Sequence, residues 1–262
     1  MPIPDEFDQV VVVLVRARNP GNIGAVARAM HDFGFRHLRV VNEYVVPLEA
    51  ARSAVDASEV VAGATTFSSV AEAVADCTLV AGTTAVGERD LQHPLYVLSD
   101  AAVKLRTELT REDRTGRVGR VALLFGSEKT GLSNEEMSHC NWLLTIPMQQ
   151  YDEVRHPSMN LGQAVAVCLY DLVRELGRQT SKSTDMAGFS TAQAGERERL
   201  AVLLAEVLEK TEYTRHHPAN SGESQIRRLV LRMGLTASDA PVWMGILRQV
   251  LWRIRQPEAR DE

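Results

Sequence analysis

The chain has 262 residues, of which 45% are hydrophobic and 24% are charged, and its formal net charge is −5. This composition is typical of an ordinary globular protein and excludes a fibrous or largely disordered chain. The negative net charge argues against a protein coated in nucleic acid, although arginines cluster locally and leave room for a basic face.

The first half of the chain alternates apolar runs with helical patterns. The β-branched run 9–15 predicts a strand buried on both faces of a parallel sheet. Apolar residues at helical spacing follow over 23–30, and Gly34 ends this helix before a predicted strand over 37–41, which completes a βαβ unit. The later predicted elements are helices over 47–62, 70–75 and 99–108 and strands over 78–82, 120–125 and 142–146.

The pattern changes toward the end of the chain. A long helix over 158–176 closes the alternation, which as a whole predicts an α/β fold with a parallel sheet and helices on both faces. A stretch rich in Ser, Thr and Gly predicts a linker. The helical patterns beyond it are 200–209, 225–233 and 241–254. We therefore expect an α/β domain over 1–176, a linker over 177–196 and a small helical module over 197–262.

The first candidate ligand segment is NPGNIGAVAR, residues 19–28, where a predicted strand ends and a predicted helix begins. A glycine-containing turn at this position brings backbone N–H groups and a helix N-terminus to the sheet edge, which favours an anion site. The fingerprint GxGxxG is absent, so a nicotinamide enzyme is not supported. By position alone, Arg28 is either a surface arginine or a group aimed at that edge.

Two further segments have the residue types of a ligand site. FGSEKTGL, residues 125–132, follows a buried strand, and its glycines let a ligand approach the backbone, although it could be a plain strand-to-helix loop. IPM, residues 146–148, precedes a polar stretch and then Ser158, which resembles a helix N-cap. Asn160 and Gly162 at this helix entrance could equally contact a ligand.

In this order and at these distances, the three segments resemble the three motifs of the SPOUT superfamily, specifically its TrmH-like branch of RNA ribose methyltransferases. The resemblance covers roughly residues 9–176. The later segment HHPANSGESQIRRLVLRMGL, residues 216–235, is similar to the tail of TrmJ-type tRNA (cytidine/uridine-2′-O)-methyltransferases, which modify anticodon-loop nucleotide 32.

This resemblance implies an α/β domain with a C-terminal trefoil knot, a topology that ordinary chain-connection rules would not predict. It also implies S-adenosylmethionine as cofactor, tRNA as substrate and a homodimer, in which Arg28 of one chain lies beside the cofactor of the other. The implied cofactor pocket consists of Thr83, Thr84, Ala85, Gly126, Ile146, Pro157, Ser158 and Met159, supported by Asn160.

The implied reaction is a displacement in which a ribose 2′-oxygen attacks the sulfonium methyl group. The family assigns a proton-accepting role to the counterpart of Arg28, but a guanidinium is a poor base at neutral pH. We therefore interpret Arg28 as an electrostatic clamp on the target phosphate and the developing alkoxide. Glu128 would orient Arg28 or the substrate, and Ser158 would position the ribose, with Asn160 as a fourth catalytic residue.

Arginines outside the motifs are candidates for RNA contact. Those on one predicted helix could bind tRNA phosphates or form a solvated face: Arg227, Arg228 and Arg232. The stretch PMQQYDEVRHP, residues 147–157, is longer and more charged than expected for the bacterial TrmJ type. Within it, Tyr151, Arg155 and His156 could contact RNA or be solvated.

Several site classes are not supported. No run approaches the ~20 apolar residues that span a bilayer, and the first residues lack signal-peptide order, so we expect a cytoplasmic protein. No histidine pair has metal-ligand spacing, and no metal is expected. The three cysteines, Cys77, Cys140 and Cys168, are predicted to be small buried hydrophobes.

Two points stay open at the level of sequence. Trp243 and Trp252 are nine residues apart on one predicted helix, and this spacing favours packing in the helical core over stacking on RNA bases. The alternatives to a tRNA methyltransferase are a related enzyme acting on ribosomal RNA and a non-catalytic RNA-binding module.

Overall fold

The protein is built on one all-parallel sheet, shown by a computed structural model that describes residues 5–42, 58–85, 91–111, 119–149, 158–174, 190–218 and 222–256. The strands are β1 Val10–Val15, β2 His37–Val41, β3 Thr65–Phe67, β4 Leu79–Thr83, β5 Leu95–Val97, β6 Val121–Phe125 and β7 Trp142–Thr145. The helices are α1 Pro20–Asp32, α2 Ser58–Ala62, α3 Val70–Ala73, α4 Leu98–Leu109, α5 Asn134–Met137, α6 Leu161–Val173, α7 Ala194–Lys210, α8 Tyr213–His216, α9 Glu223–Arg232 and α10 Asp239–Arg255, and a 3₁₀ helix spans Asp5–Gln9.

The seven strands lie in the order β3-β2-β1-β6-β4-β7-β5, and every neighbouring pair is parallel. Each residue of the two central strands, β1 and β6, is buried. A central strand of a parallel sheet is covered on both faces, which is why these strands are continuous apolar runs. The predicted α/β class is confirmed.

Helices cover both faces of this sheet. On one face α1, α4 and α6 pack against Val10, Val12 and Leu14 of β1. On the other face α3 and α5 pack against Val11 and Val13 of the same strand. The alternation within β1 therefore divides the protein core into two layers. The trefoil knot stays a prediction.

The last helices form a third apolar cluster, in which α7 packs against both α9 and α10. The start of α7 is joined to the sheet domain because the N–H groups of Ala194 and Gly195 donate to the carbonyls of Cys77 and Ala75. Arg197, buried in this junction, donates to the carbonyl of Thr78 at 3.1 Å. α7, which lies mostly within the helical module predicted over 197–262, thus packs directly on the α/β domain.

Element boundaries differ from the sequence predictions in a few places. β3 and β5 were not predicted, because three-residue strands show little periodicity. α6 begins at Leu161 rather than at residue 158, and α7 begins at Ala194, inside the predicted linker 177–196. Of the helix predicted over 47–62, only Ser58–Ala62 lies within the described residues.

The cysteine prediction is confirmed, because Cys77, Cys140 and Cys168 are all buried and none is in a disulfide. Burial raises the pKa of the Cys77 and Cys168 thiols to about 12. Across the described part of the chain, no helix is both long and apolar enough to cross a membrane.

The packing prediction for the two tryptophans of α10 is wrong. Trp243 and Trp252 are 40% and 54% exposed. The buried face of α10, which packs against α7, consists of Ala240, Met244, Leu247 and Leu251. Both indoles point away from that face, since residues 243 and 252 fall on other sides of the helix.

Candidate active site

Three sequence segments separated along the chain are joined by side-chain hydrogen bonds at the carboxyl edge of the sheet. The Asn22 amide donates from Nδ2 to Glu128 Oε1 at 2.9 Å. The Asn160 amide donates from Nδ2 to Asn22 Oδ1 at 3.1 Å. Asn22 lies at the start of α1, Glu128 lies just after β6, and Asn160 directly precedes α6. The network Glu128–Asn22–Asn160 therefore brings together all three predicted ligand segments.

Both helices that enter this network begin with an asparagine cap. Asn19 accepts from the N–H of Gly21, and Pro20 occupies the first helical position, where its missing N–H costs nothing. Asn160 accepts from the N–H groups of Gly162 and Gln163. The positive ends of α1 and α6 thus lie beside the same sheet edge, which favours an anionic or electron-rich ligand.

The cap prediction for Ser158 is wrong, because Asn160 caps α6. Ser158 is exposed, and its hydroxyl has no hydrogen-bond partner among the described residues. Gly162 has a packing role, because a Cβ built there would lie 2.6 Å from the Ala25 Cβ on α1, and its ligand contact stays a prediction. Gly162 is thus needed for the close approach of α6 to α1.

The loop after β6 folds back tightly on itself. A Cβ built on Gly126 would lie 2.1 Å from both the Gly131 carbonyl carbon and the Leu132 nitrogen. The loop is closed by a bridge between Ser127 and Gly131, whose φ of +65° favours glycine. Glu128, at the exposed tip, points toward Asn22 because the loop is closed in this way.

Arg16, directly after β1, binds the loop that follows β6. The sequence patterns did not identify Arg16 as a site residue. Its backbone is in the left-handed region, with φ of +57°. Its guanidinium donates to the Gly131 carbonyl at 3.0 Å and to both carboxylate oxygens of Glu136. Burial would raise the pKa of Glu136, but hydrogen bonds from Arg16 and from the Ser133 N–H outweigh burial and lower it. The unusual backbone of Arg16 is the only local sign of this role, and sequence patterns do not reveal it.

Five of the eight predicted cofactor residues lie at the ends of three adjacent strands, and Ser158 and Met159 lie just before α6. In the sheet, β4 lies between β6 and β7. The register pairs Gly82 with both Leu124 and Leu143, so Thr84 lies level with Gly126, just beyond the paired ends of β4 and β6. Further along, Ala85 lies level with Ile146 on the β7 side. The side chains of Thr83, Thr84 and Ile146 are half-buried there, while Pro157 lies outside the described residues.

Arg28 lies on the exposed side of α1, away from the buried Val26, Ala27 and Met30. It makes no hydrogen bond or ion pair with another described residue of its own chain. Glu128 contacts Asn22 and not Arg28. The structure therefore leaves the Arg28 guanidinium available to a ligand or a second copy.

The arginines of α9 have different environments. Arg227 is buried, and it donates to Glu198 at 2.8 Å, to Glu135 at 2.7 Å and to the Ser138 hydroxyl at 2.6 Å. This ion-pair network does not support the predicted phosphate contact of Arg227, because its donors are already engaged. Arg228 is half-buried and Arg232 is exposed. Tyr151, Arg155 and His156 lie outside the described residues.

No group of three or more metal-binding side chains occurs within the described ranges.

The chain matches the model of the SpoU rRNA Methylase family over residues 9–170. These residues include all seven strands of the sheet and the complete Glu128–Asn22–Asn160 network.

The chain belongs to the SpoU methylase family.

Relatives within this methylase group extend the match beyond the α/β domain. The tRNA (cytidine/uridine-2′-O-)-methyltransferase TrmJ of Pectobacterium atrosepticum is 31% identical over 248 residues, 93% of this chain and 97% of the relative. The tRNA (cytidine-2′-O-)-methyltransferase TrmJ of Methanocaldococcus jannaschii is 29% identical and covers 91% of this chain, with 98% of its own length matched. The crystal structure of TrmJ from Z. mobilis ZM4 superposes with a TM-score of 0.73 at 28% identity, covering 92% of this chain and 98% of that one.

Together, the SpoU methylase match and these relatives identify an RNA 2′-O-methyltransferase. The relatives span the helical module as well as the α/β domain, so the likeness to the TrmJ type found in residues 216–235 is confirmed.

Proposed function

We propose that this protein transfers a methyl group from S-adenosylmethionine to a ribose 2′-hydroxyl of tRNA, at anticodon-loop nucleotide 32 when it is cytidine or uridine. The observation that carries the proposal is the Glu128–Asn22–Asn160 network, which assembles three distant segments into one polar site. The names of the relatives support tRNA rather than ribosomal RNA as the substrate.

The strand ends fit an adenosyl cofactor. Half-buried Ile146 and Met159 offer apolar surface for an adenine ring, and Thr83 and Thr84 line the edge between β6 and β7. Gly126 keeps the neighbouring backbone close and free of a side chain. When bound, S-adenosylmethionine supplies an electrophilic methyl group. The full set assigned to its binding is Thr83, Thr84, Ala85, Gly126, Ile146, Pro157, Ser158 and Met159.

The remaining residues act on the RNA. The Ser158 hydroxyl would position the ribose 2′-hydroxyl for displacement. Its oxygen would bond to the methyl carbon as the carbon–sulfur bond of the bound cofactor breaks, leaving a neutral thioether, and its proton would pass to solvent. Arg28 grips the adjacent phosphate and stabilises the negative charge that develops on the 2′-oxygen. Glu128 and Asn160 hold the geometry through Asn22, so their contribution is alignment of the reacting atoms.

We further propose that the working form is a cytoplasmic homodimer, with Arg28 of one copy beside the cofactor site of the other. Two observations support this: Arg28 lies on an exposed face of α1, and no described residue of its own chain engages it. The exposed Arg232 and the half-buried Arg228 on α9 extend the RNA-binding surface. The trefoil knot is part of the same proposal.

The decisive experiment is methyl transfer from labelled S-adenosylmethionine to bulk tRNA and, separately, to ribosomal RNA, with the product mapped by mass spectrometry of nuclease fragments. A 2′-O-methyl group at nucleotide 32 is the expected result. Labelling of ribosomal RNA alone would overturn the substrate, and labelling of neither would favour a non-catalytic RNA-binding module.

Replacing Arg28 separates catalysis from binding. We expect Arg28→Ala to lower turnover by roughly 100-fold or more, since a single preorganised donor in a closed site contributes that much. Cofactor affinity, measured by calorimetry, should change little. Arg36→Ala, at an exposed arginine just beyond α1, is the matched control and should behave as the unmodified protein. Equal turnover in both variants would remove Arg28 from the mechanism.

A further inference from the structure

The last helix, α10, exposes an apolar stripe to solvent. Val242, Ile246 and Val250 recur every four residues, and they are 61%, 48% and 36% exposed. They lie on a different side of the helix from the face that packs against α7. A monomeric protein rarely leaves several large aliphatic side chains in one row uncovered, so this stripe marks a contact surface.

Opposite charges close the two ends of the stripe. Asp239 lies seven residues before Ile246 and Arg253 lies seven residues after it, and both are exposed. Seven residues are nearly two helical turns, so all three side chains share one face. The Asp239 carboxylate also accepts from the N–H of Thr236, which keeps it at the start of α10. The stripe therefore begins with an acidic side chain, continues with aliphatic side chains and ends with a basic side chain.

We propose that α10 pairs antiparallel with α10 of a second copy of this chain, around a two-fold axis at Ile246. In such a pair, positions equally distant from Ile246 face each other. Val242 of one copy meets Val250 of the other, and Asp239 meets Arg253, and each contact occurs twice. The spacings of three and four residues from Asp239 to Arg253 keep the stripe on one side of the helix. A parallel pair would instead place like charges opposite each other.

The chemistry of this face favours a second copy over RNA. Valine and isoleucine side chains do not stack on bases, and the Asp239 carboxylate would repel phosphates. Of the other basic residues of α10, Arg248 lies on the far side of the helix, and Arg255 is bound to Glu206 at 2.6 Å. This pairing uses a surface other than the proposed contact through α1, so copies joined by both contacts about different two-fold axes form an assembly larger than a dimer. The pairing does not depend on the methyl-transfer reaction.

Cysteine cross-linking of the full chain tests the pairing directly. A residue on a two-fold axis faces its own symmetry mate, so Ile246→Cys should form an intermolecular disulfide under mild oxidation, provided that the Cα atoms approach to within about 7 Å. The three native cysteines are buried and should not compete. Arg248→Cys places an exposed thiol on the opposite side of the same helix and is the matched control. Cross-linking of Ile246→Cys at the rate of this control would overturn the proposal.

A charge exchange tests the register. In the Ile246→Cys background, Asp239→Arg or Arg253→Asp alone should slow cross-linking several-fold, since each places like charges opposite one another. The combined variant Asp239→Arg/Arg253→Asp should restore the rate, because it recreates the same pairs in reverse. Failure of the combined, folded variant to recover would contradict the antiparallel register. If excess tRNA blocks cross-linking and each single variant weakens tRNA binding, the stripe is an RNA surface instead. Because the cross-link forms at α10 itself, its failure leaves the methyl-transfer proposal intact.

Discussion

At the scale of single residues, Asn22 has the central position in the site. A side-chain amide has one donor end and one acceptor end, and Asn22 uses the donor for Glu128 and the acceptor for Asn160. In the sequence, Asn22 marks only the entry to a helix. Its pairing with residues more than 100 positions away depends on which strands are neighbours in the sheet.

Replacing this amide by a carboxylate should damage activity more than removing it. Asn22→Asp cannot donate to Glu128 and places two negative charges together, whereas Asn22→Ala only deletes both hydrogen bonds. We expect turnover to fall by roughly 10-fold to 100-fold in Asn22→Asp, since misalignment of reacting groups has costs of this size. Single-turnover methyl transfer is the measurement. Asn134→Asp, at an exposed asparagine that starts α5, controls for the charge change. Full activity of Asn22→Asp would show that the network does not serve the reaction.

At the scale of elements, the loop after β6 has its shape because two of its segments touch. Gly126 leaves room for the backbone at Gly131 and Leu132, and Arg16 holds the same part of the loop through the Gly131 carbonyl. The glycines were visible in the sequence as a permissive loop. The reason for them, a backbone folded against itself, appears only in three dimensions.

Gly126→Ala should therefore destabilise the protein. The added methyl would meet backbone atoms at 2.1 Å, which cannot move aside as a flexible side chain can. We expect a loss of about 2–3 kcal/mol in the free energy of unfolding, as for other overpacked sites. Gly245→Ala is the control, because nothing lies within 4 Å of a Cβ there and alanine favours the helix, so stability should stay equal or rise by up to about 1 kcal/mol. Urea unfolding compares the two, and equal stabilities would contradict the close contact.

The junction between α9 and the α/β domain offers a second test at this scale. Arg227→Met breaks contacts with Glu198, Glu135 and Ser138, leaving two carboxylates without their partner. We expect stability to fall by about 2–3 kcal/mol, somewhat less than for a fully buried pair, because Glu135 is largely exposed. Arg228→Met, one residue along, should leave stability nearly unchanged and weaken tRNA binding instead. Thermal unfolding and a filter-binding assay together separate these outcomes, and identical profiles would refute the division of roles.

At the scale of the whole molecule, ion pairs connect elements across the sheet. Asp76 accepts from Arg39 of β2 at 2.6 Å and 2.9 Å, and also from Arg120 beside β6. Hydrogen bonding from Arg39, followed by its charge and by Arg120, holds the pKa of Asp76 well below its usual range. The carboxylate is thus more stable in the folded chain than in the unfolded one.

This lowered pKa predicts a loss of stability in acid. A carboxylate with a depressed folded pKa contributes its full stability above the unfolded pKa of about 3.9, and loses it as pH falls toward the folded pKa. Because Asp76 is 42% exposed, we expect Asp76→Asn to cost only about 1 kcal/mol at neutral pH after allowance for solvent screening. The variant should match the unmodified protein at the lowest pH where both stay folded. Denaturant unfolding across pH measures the difference, with the exposed Asp100→Asn as control; a difference independent of pH would contradict the linkage.

The longer strands and helices, the helical end of the chain and the family were readable in the sequence, because burial on both faces, helical spacing and motif residues are local patterns. The tertiary structure decided what each polar group contacts. Arg227 and Arg228 are adjacent in sequence, yet one is buried among carboxylates and the other is half-buried without them. Trp243 and Ile246 have helical spacing suited to a core, yet both lie off the packed face of α10. Periodicity specifies that a helix has a buried face, but which neighbour covers it, and which charges meet there, depends on contacts between residues far apart in the chain.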